Sequence, residues 1–239
     1  MNELARRDRD AREVVDVVTE ARAALLSARD ELGQLQDAVS TAVQVLADVE
    51  WAQRQAGLAE ARPRDRVQLG QRVQDLARTC VEAAQTGRDA GRAVVRVRAA
   101  LQAAGVLVEG WSSGSTQERV DRTALRGRAR ELTTALNEVE TSLEQTVNSL
   151  GRAALSAREA GPAQQGTGRV EAPAEVWRQS LRGATVSTQE AGDRLDVVAE
   201  GTQRIGRQMD GVAAAARARM EAARRIAEPA LARTTGVAR

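Results

Sequence analysis

The chain has 239 residues, 42% of them apolar and 28% charged; Phe, Tyr and His are absent, and three Trp are the only aromatic residues. All 35 basic side chains are Arg, because the sequence contains no Lys, and they face 33 Asp and Glu for a net charge of +2. These values exclude His- and Lys-dependent catalysis, a global nucleic-acid footprint, and a β-rich core built on aromatic bulk. What remains is rich in Ala, Leu, Arg, Gln and Glu, the strong helix formers, and four Pro leave room for long uninterrupted helices.

The first predicted helix covers residues 3–60. Its apolar residues recur at alternating steps of three and four, through Ala11, Val14, Val18, Ala21, Leu25, Ala28, Leu32, Leu35, Val39, Ala42, Leu46 and Val49. That is a heptad seam, interrupted only by Arg7 and Gln53. Trp51 falls off the seam at an outward position. The helix is expected to stop before Pro63.

The second predicted helix covers 66–104, opened by Asp65 with Gln68 and closed at Gly105. Its seam runs through Leu69, Val73, Leu76, Cys80, Ala83, Gly87, Ala90, Val94, Val97, Leu101 and Ala104. Arg88, Arg92 and Arg96 form an outward stripe at i, i+4 and i+8. The stripe is either an anion-binding face or a solvated face paired with neighbouring carboxylates. Residues 105–115 are expected to be a loop. Within it, Val106, Leu107, Val108 and Trp111 offer either a partner contact or a hydrophobic plug over that end of the bundle.

The third predicted helix covers 116–160. Ser115 with Glu118 makes a capping box before it, and Gly161-Pro162 stops it. Its seam runs from Leu125 through Ala129, Leu132, Leu136, Val139, Leu143, Thr146, Leu150, Ala153 and Ala157 to Ala160. The fourth covers 173–228, with Pro173 suited to the first turn and Pro229 beyond the end. Its seam runs through Trp177, Leu181, Ala184, Thr188, Ala191, Leu195, Val198, Thr202, Ile205, Met209, Val212 and Ala216, then meets Arg219. Arg217, Arg219, Arg224 and Arg225 make this the most basic stretch of the chain. A kink at Gly33, or among Gly201, Gly206 and Gly211, is the alternative to straight long helices.

Four such helices with short connections predict an all-α fold: an elongated antiparallel four-helix coiled-coil-like bundle running up-down-up-down. It is read as one domain over 1–239, made of the hairpins 1–104 and 116–228. Helices one and four are the longer pair, so a two-helix extension is expected at the end carrying the termini. Antiparallel threading brings Trp51 and Trp177 to the opposite end. There Trp51 is either shielded by the 161–172 loop or exposed as a contact hot spot.

Chemistry is sparse. Without His, no Ser-His or Cys-His pair, di-iron Glu-x-x-His site or tetrahedral zinc site is available. Without Lys there is no P-loop or Schiff base. No catalytic residue, metal site or cofactor is therefore expected. The lone Cys80 cannot form an internal disulfide, no segment reads as a signal peptide, and no window holds 18 continuous apolar residues. A cytoplasmic location is expected on these grounds. The function expected is that of a non-catalytic interaction or scaffold protein binding a protein partner through its surface or ends. The alternative is a nucleic-acid or anionic-surface binder using the Arg-rich end of helix four. Heptads of this kind serve a monomer or a homodimer equally.

Overall fold

The structure, a computed structural model, describes residues 3–56, 63–109, 116–160 and 174–235. They form four helices and no strand among the described residues: α1 Glu3–Ala56, α2 Pro63–Glu109, α3 Thr116–Ala160 and α4 Ala174–Thr235. The helices pack in pairs as a four-helix bundle. α1 and α4, with 54 and 62 residues, are longer than α2 and α3, with 47 and 45. The helix runs unbroken through Gly33 in α1 and through Gly201, Gly206 and Gly211 in α4.

Three helix ends differ from expectation, each for a physical reason. α2 begins on Pro63 itself, where the missing N–H is no loss and φ is already helical. Asp65 then sits in the first turn, complementing the positive end of the helix dipole. At its other end α2 does not stop at Gly105 but continues to Glu109. The three-four spacing continues there, from Leu101 and Ala104 to Val108, and Val108 is only 5% exposed. Burying that side chain offsets the cost of about 1 kcal/mol for a mid-helix Gly. α4 runs through Pro229 to Thr235. Proline disturbs mainly the turn before it, and Ala227, Ala230 and Ala232 around it are strong helix formers. α1 ends at Ala56, and Trp111 and the 161–172 loop lie outside the described residues.

The seams are buried as the heptads require. From Ala11 to Val49 in α1, every seam residue is buried except the half-buried Leu32. α2 is buried from Leu69 to Val97, α3 from Leu132 to Ala160, and α4 from Leu181 to Ala216 at all their seam positions. The chain divides into two compact units, each drawing a segment from all four helices: residues 1–28, 93–138 and 201–239, and residues 29–92 and 139–200.

In the unit 29–92/139–200, Leu46, Val49, Leu69, Val73, Leu76, Cys80, Ala153, Ala157 and Leu181 belong to one continuous core cluster. Gly87 is an obligatory small residue in this unit: a Cβ there would lie 2.6 Å from Val147 Cγ2 and 3.5 Å from Leu35 Cδ1. α1 and α2 run antiparallel, since Leu35 meets Gly87 while Asp48 pairs with Arg72 at 3.7 Å.

In the unit 1–28/93–138/201–239, the core gathers Val14, Val18, Val97, Leu132, Leu136, Ile205 and Met209. α3 and α4 run antiparallel here. Arg204 pairs with Glu138 at 3.1 Å, Gln208 donates to Glu131 at 2.9 Å, and Arg128 donates to the Gly211 carbonyl at 2.8 Å. Arg22 of α1 pairs with Asp210 at 3.1 Å. The seam is less closed at Leu101 and Ala129, both half-buried.

Candidate functional site

The end of α1 and the start of α4 build a surface groove in the unit 29–92/139–200. From α1 come Glu50, Gln53 and Arg54, one helical turn on a single face. From α4 come Arg178, Arg182, Thr185 and Val186, with Leu181 as the buried floor. Steps of four and eight keep Arg178, Arg182 and Val186 on one stripe of α4. The groove has a volume of about 590 Å³, and the described residues lining it include Arg54, Arg178, Arg182 and Glu50. Val186 is 53% exposed at its edge.

Trp51, on the same helix but not lining the groove, has 55% of its surface exposed. At 3.6 residues per turn it lies about 60° around the helix from Arg54. The off-seam position two residues past Val49 explains why it points away from the core. Trp177 lies in α4, but its side chain is outside the described residues, as are Trp111 and the side chain of Arg224.

The other expected contact residues are dispersed. Val106 is 70% exposed, Leu107 half-buried and Val108 buried, so the apolar run from 106 to 108 is a helical turn with one outward residue. Val108 is thereby lost as a surface contact. Arg88, Arg92 and Arg96 are all exposed; Arg88 donates to Gln85 at 3.1 Å, and Arg92 is ion-paired with Asp89. Near the end of α4, Arg217 is exposed, Arg219 is half-buried and Arg225 lies 3.8 Å from Glu221.

Three further features lie in the interior. A cavity of about 120 Å³ in the unit 1–28/93–138/201–239 is walled by Ala104, Gly105, Val108, Leu125, Ala129 and Val212, with Arg98 at its edge. Arg98 Nη2 donates to Asn137 Oδ1 at 2.6 Å. In the other unit, the buried Ser149 hydroxyl accepts from Arg194 at 2.7 Å and Arg152 at 3.0 Å, and donates to Glu190 at 3.3 Å. Arg152 also pairs with Glu190 at 3.0 Å. The third feature is Cys80, fully buried, with its Sγ 4.0 Å from Thr188 Oγ1. Burial pushes its thiol up from 9.0 to about 11, against a smaller lowering by the Thr188 hydroxyl.

Among the described residues, no group of three or more His, Cys, Asp or Glu is placed to hold a metal ion, and no helix is long and apolar enough to cross a membrane. The heptad pattern marks Trp51 as outward but gives no signal for Arg54, Arg178 and Arg182. Their signal was available only by combining outward heptad positions with antiparallel threading, because they come from opposite ends of the chain. The sequence matches no known family model and no curated protein.

Proposed function

We propose that the chain is a non-catalytic helical scaffold that holds a protein partner through the surface around Trp51. The observation that carries this reading is the exposure of Trp51, at 55%, on an ordered helix. Tryptophan supplies a large apolar area with few rotatable bonds, and it is enriched among the residues that dominate interface energetics. The nucleophiles support the same reading. Cys80 is buried and keeps its proton at neutral pH, and Ser149 is buried with its hydroxyl tied into a cluster of Arg152, Arg194 and Glu190.

The test is affinity capture from a cell extract with the wild type, Trp51→Ala and Trp111→Ala side by side. A partner retained by the wild type and reduced about tenfold by Trp51→Ala supports the reading. Capture unaffected by Trp51→Ala removes this residue as the anchor. The reading as an anionic-surface binder through Arg217, Arg219, Arg224 and Arg225 has less support. Arg225 is engaged by Glu221, and Arg219 is half-buried. A salt-sensitive gel shift lost on deleting 217–239 would restore it.

A further inference from the structure

We infer that the cavity in the unit 1–28/93–138/201–239 binds one small, neutral, hydrocarbon-like molecule of about six carbons. It belongs to the other unit from Trp51 and does not depend on the scaffold reading. The space follows from the residues that meet there. α2 contributes Ala104 and Gly105, and α3 contributes Ala129, so no long side chain reaches across. Leu125, Leu132 and Leu136 of α3 and Val212 of α4, all buried, form walls around a volume of about 120 Å³. Gly105 reports the same space independently: a Cβ built on it meets nothing within 4 Å.

The lining decides the class of ligand. The walls are aliphatic, so a water molecule against them would lack the about two to four polar partners that hold buried water. The polar side chains lie at the rim. There Thr133 donates to the Ala129 carbonyl at 3.0 Å, Arg98 donates to Asn137 at 2.6 Å, and Gln102 is exposed. A polar ligand would lose its water against these walls without a replacement partner. A hydrocarbon gains dispersion contacts with side chains that have none on that side. Size sets the upper limit: an apolar cavity of about 150 Å³ takes up benzene or xenon, so this one holds a single compact ring or short branched chain. The way in lies between α2 and α3, where Leu101 and Ala129 are half-buried and Thr133 is exposed. A surface groove on that side shares Gly105, Val108, Ala129 and Thr133 with the cavity, so a ligand enters without any helix unfolding.

The test is titration of the full chain with benzene, and with pyrimidine as the same ring carrying two acceptor nitrogens, followed by methyl resonances in NMR spectra. Benzene should bind with a dissociation constant of about a millimolar or tighter and shift the methyls of Leu132, Leu136 and Val212. Pyrimidine should bind about tenfold or more weakly. Gly105→Ala places one methyl in the open space and should weaken benzene about two- to fivefold while raising the melting temperature. Ala129→Leu should fill the cavity and remove binding, with helicity by circular dichroism unchanged. If Ala129→Leu fails to fold, Gly105→Ala still decides, because tighter folding with weaker binding is a signature that damage to the fold does not give. Methyls unmoved up to saturating benzene, or benzene bound equally well by the folded variants, overturn the inference. So does pyrimidine bound as tightly as benzene. The capture experiment with Trp51→Ala decides the scaffold reading separately.

Discussion

The unit 29–92/139–200 and the unit 1–28/93–138/201–239 are built from the same four helices and the same heptad pattern, yet they pack differently. In the first, a small residue faces two large ones at Gly87. Gly87 receives Val147 and Leu35, and the continuous cluster from Ala42 to Ala184 is buried throughout. In the second, large side chains such as Leu125 and Val212 leave unfilled the space beside small residues of two helices. Ala104 and Gly105 of α2 and Ala129 of α3 line one cavity, and Leu101 remains half-buried beside it. A heptad thus decides which face of a helix is buried, whereas the pairing of small with large decides how tightly. The exposed Trp51 and the groove lined by Arg54 and Arg182 belong to the first unit.

Truncating the core should give the largest contrast between the units. Leu35→Ala removes a fully buried side chain against Gly87 and should cost about 2–5 kcal/mol. Leu101→Ala, at the cavity, should cost about 1–2 kcal/mol, since its side chain is only half withdrawn from water. Urea unfolding of the two variants measures both, and equal losses would break the comparison.

The next effect is specific to the tighter unit and depends on pH. The buried Cys80 thiol holds its proton to about 11, while the unfolded chain releases it near 9.0. Stability from this group is therefore complete below pH 9 and lost as pH rises through about 11, by roughly 2–3 kcal/mol at the limit. The chain has no Lys, Tyr or His. Apart from an α-amino group, no other group of ordinary pKa titrates in this window. Unfolding measured from pH 8 to 11 should show the decline, and Cys80→Ser should flatten it.

Smaller still is a change of sign between two glycines. Gly87→Ala drives a Cβ against the stiff Val147 and should destabilise by about 1 kcal/mol net of the helix-propensity gain. A Cβ at Gly105 meets nothing within 4 Å, so Gly105→Ala should stabilise by about 0.5–1 kcal/mol. Thermal melts of both variants decide it, and the same sign for both would sink the packing contrast. The smallest expected effect is Trp51→Ala, which should change stability by less than about 0.5 kcal/mol while affecting partner capture.

The heptads made the buried face legible almost residue by residue, because a 3.5-residue repeat leaves little choice of inward position. The same repeat located Trp51 on the outside. It was silent on the cavity, since Ala129 and Ala104 are acceptable seam residues separately and leave space only when they meet. It was misleading at Gly105, where a local helix-stop signal competed with Val108 one step further along the seam, and burial won. At Pro229 the local signal lost again, to the Ala-rich sequence around it. The groove was hidden because charge at an outward position reads as ordinary solvation until another helix is placed beside it. Arg54 and Arg182 become a feature only when α1 and α4 are adjacent.

Native-state hydrogen exchange on the full chain tests the contrast between the two units most directly. The slowest backbone amides are expected in the helical segments 29–56, 63–92, 139–160 and 174–200, with faster exchange in 93–109 and 116–138 around the cavity. Equal protection in both sets, or slower exchange around Leu101 and Ala129 than around Leu35 and Gly87, would contradict it.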